Sequence, residues 1–304
     1  MIVEALKKET YSKTGRPYPL NMILRVVGCS SGNWYDRPKA SSSESSTPAI
    51  RGRRPKISDE ELLSAIRKAI NDSHFIGEGC TKIWHRLKRS GQTASRARVL
   101  KVMRDNELLG PYRHNAASSR KNTHEGTIIQ NAPNLLWGTD GKKFYVEDEG
   151  WCWFFGVIDH FNDELLAWNT CKKGTRYEAL EPVRSAVRKQ FGNVNQNVCK
   201  GLELKLRSDH GSQYDSAAFM GEMKFLGLEM SKSFVRQPEC NGCIERFNRT
   251  IEEEVFSLNH FKTLDEANET IRKFVENYNR EWLICRLRYK SPLEYRNEYV
   301  QKAA

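Results

Sequence analysis

Three carboxylates in the second half of the chain have the residue types and placement for metal-assisted chemistry. Asp140 closes the run LLWGTD, Asp209 follows LELKLRS and opens DHGSQY, and Glu245 lies in NGCIERFNRT, with 35 residues between it and Asp209. An acidic side chain at the end of a buried strand is costly unless something neutralises it. A pair of divalent ions about 3.5–4 Å apart does so, and clamps the attacking and leaving oxygens of a phosphoryl transfer. Hard oxygen ligands suit Mg²⁺, which keeps several of its waters. No covalent enzyme intermediate is needed, so no nucleophilic Tyr or Ser is expected.

Each acid also has a plainer role open to it. Asp140 can be a turn residue before Gly141, Asp209 can cap the turn DHGS, and Glu245 can be a surface acid of a helix, with Glu239 and Glu252 as rivals. His210 can touch a phosphate or make a structural hydrogen bond. Asp159, three residues before Asn162, reads as a turn or sheet-edge acid, Trp137 as core, and Asn241 as a helix cap. Cys240 and Cys243 form a CxxC without the second ligand pair that a structural zinc site requires.

Elements that would position the acids follow from patterning. LLWGTDGKKFYV, WCWFFGVIDHF and ELLAWNTC read as three strands of an antiparallel meander. Arg176 to Phe191 keeps Leu180, Val183, Val187 and Phe191 on one helical face. LELKLRS is a fourth strand, SAAFMGEMKFLG a helix, LEMSKS a short fifth strand, and Asn241 to Phe256 a helix carrying Glu245. The order βββαβαβα brings Asp140, Asp209 and Glu245 to one sheet edge.

The net charge is +11, and it is uneven. Residues 1–125 hold 24 Lys+Arg against 12 Asp+Glu, the remainder 25 against 26. A basic part joined to a near-neutral part suggests a polyanion-binding module attached to something else. Residues 1–38 contain a helix-turn-helix-like segment broken at Gly28. Residues 39–56 are a Ser/Pro linker whose Arg51, Arg53, Arg54 and Lys56 can follow a phosphate backbone. Residues 57–112 read as three helices. Ser58 and Glu61 form a capping box at the first, and the third opens at Ser95. In a helix-turn-helix the third helix enters the major groove, with Arg96, Arg98, Lys101 and Arg104 as its DNA contacts. A three-helix bundle with a solvated basic face is the plainer reading. Residues 113–133 are a second linker, 134–256 the catalytic core and 257–304 a C-terminal helical segment. No apolar run approaches 18 residues and the N-terminus lacks a signal-peptide core, so the protein is expected to act where it is made, with no membrane partner.

The WGTD, DHGSQY and NGCIERFNRT blocks, in this order and spacing, resemble the DDE transposases of bacterial insertion sequences, in the retroviral-integrase-like group whose transposase is encoded in two overlapping frames. The chain is similar to the downstream-frame product. YNREWLICRLRYKSPLEYR resembles that family's C-terminal signature, and the likeness runs from about residue 20 to 300.

The resemblance implies an α/β RNase H-like catalytic core, a mixed five-stranded sheet with helices, preceded by an all-α helix-turn-helix DNA-binding region. It implies Asp140, Asp209 and Glu245 as ligands of two Mg²⁺ or Mn²⁺ ions per site, with strand transfer by attack of a 3′-hydroxyl on DNA. Implied partners are double-stranded DNA, as element ends and target, a second copy of the chain in a homo-oligomer on DNA, and an upstream-frame protein or frameshift fusion. The implied location is the bacterial cytoplasm, at the nucleoid. Two departures stand out. Glu252, followed by Glu253 and Glu254, stands seven residues after Glu245, where the family carries Lys or Arg; Arg246 or Arg249 can substitute as the DNA contact. The Arg-Pro-His triplet that commonly follows YN is also missing, and Glu281-Trp282-Leu283-Ile284 stands there. Beside a transposase, a regulatory DNA-binding remnant without catalysis and a hydrolysis-only nuclease of the same fold are the competing readings.

Overall fold

The computed structural model describes residues 2–12, 14–35, 56–110, 130–209, 211–232 and 241–303. The chain divides into two compact units, Met1–Arg54 and Pro55–Ala304. In the first, α1 (Ile2–Leu6), α2 (Leu20–Val27) and α3 (Ser31–Tyr35) close around Val3, Ile23 and Leu24. Gly28 ends α2 at φ +70°, a left-handed conformation open to glycine at little cost.

The second unit begins with α4 (Asp59–Asn71), α5 (Cys80–Arg89) and α6 (Arg96–Asp105). The expected capping box is present: Glu61 N–H donates to Ser58 Oγ at 3.1 Å and Ser58 N–H to Glu61 Oε2 at 2.8 Å. Leu62, Ile66, Ile83, Leu87, Val99, Val102 and Met103 fill the space between the three helices.

A five-stranded sheet follows, made of β1 (Leu136–Val146), β2 (Gly150–Asp159), β3 (Leu165–Cys171), β4 (Lys205–Ser208) and β5 (Glu229–Lys232). Its order is β3-β2-β1-β4-β5. β1–β2 and β2–β3 pair antiparallel, β1–β4 and β4–β5 parallel. Parallel neighbours need crossovers, supplied by α7 (Arg176–Phe191) between β3 and β4 and α8 (Ala217–Leu226) between β4 and β5. This mixed sheet, covered by helices on both faces, has the RNase H-like architecture. The fourth strand is shorter than LELKLRS, because residues 201–204 form a turn and its lead-in.

Alternation along the strands sorts two cores. Phe144, Val146, Cys152, Phe154 and Ile158 face α9 (Gly242–Ile251) and α10 (Leu264–Glu281). Trp137, Phe155 and Val157 face α7 and α8. The Tyr278-Asn279 pair of the C-terminal signature is structural. Tyr278 is buried, and Asn279 bonds both backbone groups of Leu165 on β3, at 3.0 and 2.9 Å. α11 (Pro292–Ala303) adds Arg296, whose guanidinium donates to buried Glu164 at 2.8 Å.

The Glu245 helix does not run unbroken to Phe256. After Ile251 it widens into a π-helical turn over Glu252–Phe256, with Ser257 N–H bonded to Glu252 O at 2.8 Å. Glu254 explains part of this acidic run. Its carboxylate accepts from Ile76 N–H and Gly77 N–H, both at 2.8 Å, in the loop between α4 and α5. Phe75 of that loop is buried against Phe274 and Trp282. The three-helix region is thus packed on the sheet region within one unit. None of the described helices is long and apolar enough to cross a membrane.

Candidate active site

Asp140 lies mid-way along β1, the central strand, paired across to Gly156 of β2. The parallel register runs Leu136↔Lys205 to Gly138↔Arg207. Continued two residues, it brings Asp209, the residue after β4, level with Asp140, with neighbouring strands about 4.8 Å apart. Glu245 comes from the first turn of α9, which packs on the same face of β1. The convergence is electrostatic as well as topological. Burial pushes the Asp140 carboxyl up to about 6, and the negative charges of Asp209 and Glu245 add to the rise. Burial also raises Glu245; Arg249 opposes the rise and Asp209 reinforces it.

Each acid keeps a local bond as well. Asp140 Oδ1 accepts the Gly141 N–H at 2.8 Å, and Asp209 Oδ1 accepts the Gly211 N–H at 2.9 Å. The turn role open to Asp209 is therefore present alongside its position opposite Asp140. Among the described residues, no three His, Cys, Asp or Glu side chains are gathered tightly enough to hold a metal ion. The negative charges that Asp209 and Glu245 place on Asp140 would be relieved by a cation, and the all-oxygen donor set of the three carboxylates fits Mg²⁺ or Mn²⁺.

Several residues that the sequence did not mark build the frame. Asn248, one turn after Glu245, donates Nδ2 to Asp140 Oδ2 at 2.9 Å, which favours the charged carboxylate. The signal for it was spacing: residue 248 shares a helix face with 245. Asn241 does not cap α9 with its side chain. It donates Nδ2 to Thr139 O at 3.2 Å instead, tying the start of α9 to β1 beside Asp140. The Asn241 side chain also lies near the buried His160 ring, which burial, followed by Arg207, holds down at about 4. This explains the glycine at 138: a Cβ there would lie 2.6 Å from His160 Nε2 and 2.8 Å from Asn241 Oδ1. At Gly141 a Cβ would lie 2.5 Å from the Phe155 ring. Gly138 and Gly141, on either side of the Thr139-Asp140 pair, let imidazole, amide and aromatic groups close around the strand. Asp159 accepts the Asn134 and Phe161 N–H groups, each at 2.9 Å, in the structural role expected of it. Tyr214 is buried near Asp140 and Asp209, and burial raises its hydroxyl well above the usual value.

The basic residues fall into groups. Arg96, Lys101 and Arg104 are exposed on α6, as is Lys56 ahead of α4. Arg98 departs from the expectation of a DNA contact. Its guanidinium bonds Asp59 Oδ1 at 2.6 and 2.8 Å and Ile57 O at 2.7 Å, so it ties α6 to the start of α4. Arg246 and Arg249 are exposed on α9. Arg51, Arg53, Arg54, His210 and Cys240 lie outside the described residues. Glu252 is paired, through Oε2, with Lys142 Nζ at 2.9 Å.

Known proteins resemble the chain in both of its regions. An integrase core domain family matches residues 226–292, a span that contains Glu245, and an HTH-like domain family matches residues 58–116. The transposase InsD for insertion element IS2A/D/F/H/I/K of Escherichia coli is 29% identical over 255 residues, 80% of this chain and 81% of the relative. The chain is thus similar to an insertion-element transposase over most of its length. The InsD transposase for insertion element IS2-9 of Escherichia coli strain K12 is also 29% identical, over 80% of each chain. Among solved structures, a simian T-cell lymphotropic virus intasome covers 79% of this chain and 74% of its own chain at 16% identity, with a TM-score of 0.45. The HTLV-2 integrase catalytic core in complex with magnesium covers 55% and 98% at 18% identity, with a TM-score of 0.42.

Proposed function

We propose that this chain is a transposase that binds the ends of an insertion element through α6 and catalyses metal-dependent cleavage and strand transfer at Asp140, Asp209 and Glu245. The observation that supports this reading is that Asp140 on β1 feels the charges of both Asp209, just after β4, and Glu245 on α9. These residues would hold two Mg²⁺ or Mn²⁺ ions, which activate an oxygen nucleophile and offset charge building on the phosphate. Asn248 keeps the Asp140 carboxylate oriented, and the Asn241–Thr139 bond fixes the start of the Glu245 helix. In the first reaction a water oxygen bonds to phosphorus, the P–O3′ bond breaks, and the 3′ oxygen leaves as a hydroxyl. In the second, that hydroxyl attacks a target phosphate and a target 3′ oxygen leaves with the proton. One phosphodiester replaces another, so no external energy source is required.

Double-stranded DNA is the partner twice over, as element end and as target. A homo-oligomer that pairs two ends, and an upstream-frame protein or fusion, complete the proposed assembly at the bacterial nucleoid. The acids at 252–254 do not by themselves favour a decayed remnant, since Glu254 anchors the Ile76–Gly77 loop and Glu252 is matched by Lys142. The test is joining of a pre-cut element end to plasmid in Mg²⁺. Asp209→Asn is expected to abolish joining while end binding persists. Joining that survives in the mutant overturns the site assignment. Cleavage without joining in the wild type supports a nuclease, and binding with neither a regulatory remnant.

A further inference from the structure

We propose that Lys142 is a DNA-backbone contact of the active site, held beside it by Glu252 until a phosphate replaces that carboxylate. The inference rests on the strand-transfer site proposed above for its location, and on the α9–β1 seam for its mechanism. Asp140 and Lys142 point to the same face of β1, about 6.6 Å apart along the strand. That is the face on which α9 lies. Three polar contacts step along the seam: Asn241 to Thr139, Asn248 to Asp140, and Glu252 to Lys142. The first two are buried or half-buried and hold the framework. The third lies at the open end, with the Lys142 side chain 26% and the Glu252 side chain 40% exposed.

An ion pair this open to water is weak, because solvent screens it and two long side chains must be held still. Exchanging the partner of Lys142 therefore costs little. A DNA phosphate is a strong competitor, since its contact with a lysine also releases condensed counterions. Glu252 is not stranded by the exchange. Ser257 Oγ donates to its Oε1 at 3.0 Å, so the carboxylate keeps a partner when the ammonium turns away. A lysine side chain spans the distance from its own Cα to a phosphate lying over Asp140. The pair thus stores a cation at the rim of an acidic site, where an unpaired carboxylate would otherwise repel DNA.

The experiment uses the full chain and a labelled duplex of the element end, titrated without divalent metal across a range of salt. One phosphate contact contributes about 0.9 to the slope of log affinity against log salt, or about eightfold in affinity at 0.1 M relative to 1 M. Lys142→Ala is expected to flatten the slope by that amount. Glu252→Gln is expected to tighten binding, because it releases the lysine. Combining Lys142→Glu with Glu252→Lys is expected to recover the wild-type slope from the other side of the seam. Thermal melting checks that each variant folds, and Lys142→Gln replaces Lys142→Ala if that variant does not. An unchanged slope in the lysine variant overturns the proposal. So does equal weakening by Lys142→Ala and Glu252→Gln with lowered melting points, which marks a purely structural pair. Joining by the wild type is measured separately. A shifted slope without joining leaves the contact standing and removes the catalytic reading, and joining with an unshifted slope does the reverse.

Discussion

Replacing Asn248 with alanine removes the side chain that donates to Asp140 Oδ2 at 2.9 Å. A half-buried hydrogen bond to a carboxylate is worth about 1.5–3 kcal/mol, or roughly 10- to 150-fold in an equilibrium constant. The sign follows from what the bond stabilises. It favours charged Asp140, whose carboxyl already sits at about 6 through burial and its acidic neighbours. Losing the donor raises that value further, so the carboxylate is more often protonated at neutral pH and is a poorer metal ligand. Joining at limiting Mg²⁺ is then expected to fall by about 10- to 100-fold, the range found when groups that orient a metal ligand are removed. Saturating Mg²⁺ and a rise from pH 7 to pH 8 should each restore part of the loss. The assay is joining of a pre-cut end, titrated with Mg²⁺ at both pH values, with metal-free end binding as the control for folding. An unchanged half-saturating Mg²⁺ concentration would refute the reasoning, since Asn248 would then have no hold on the Asp140 carboxylate.

Two further outcomes are expected. Asp140 at about 6 lies above its unfolded value, so its contribution to stability is full below about pH 4 and is lost as pH rises through about 6. A cation that binds the ionised form reverses this, so Mg²⁺ should raise the melting temperature at pH 8 and lose that effect below pH 6; a Mg²⁺ shift that is the same at both would count against Asp140 as a ligand. Glu254→Ala strips the Ile76 and Gly77 N–H groups of their acceptor. At about 1–3 kcal/mol for the two together, melting should fall by several degrees and proteolysis should open the loop between α4 and α5. Equal protease resistance in mutant and wild type would show that Phe75 alone holds the loop.

Most of the element order was legible because alternation and helical spacing are local properties of the chain. The three meander strands, the helix Arg176–Phe191 and the capping box at Ser58 appear where patterning put them. Local patterning failed where the backbone answers to distant contacts. The turn at residues 201–204 shortens the fourth strand, and the Glu245 helix widens at Glu252. In the same stretch, Glu254 reaches the Ile76–Gly77 loop and Val255 fills the core. Arg98 read as a groove contact because it is basic and on the third helix, yet Asp59 and the Ile57 carbonyl, some forty residues earlier, claim it.

By itself the sequence determined the candidate carboxylates, the basic first part and the family likeness, since residue type, charge and spacing are written in the chain. Only the tertiary structure decided who stands beside whom. The β1–β4 register sets Asp209 level with Asp140, α9 lays Asn248 against Asp140, and Lys142 meets Glu252 across a seam between segments more than a hundred residues apart. Such pairings depend on strand register and helix packing, which fix distances between side chains that no linear spacing encodes.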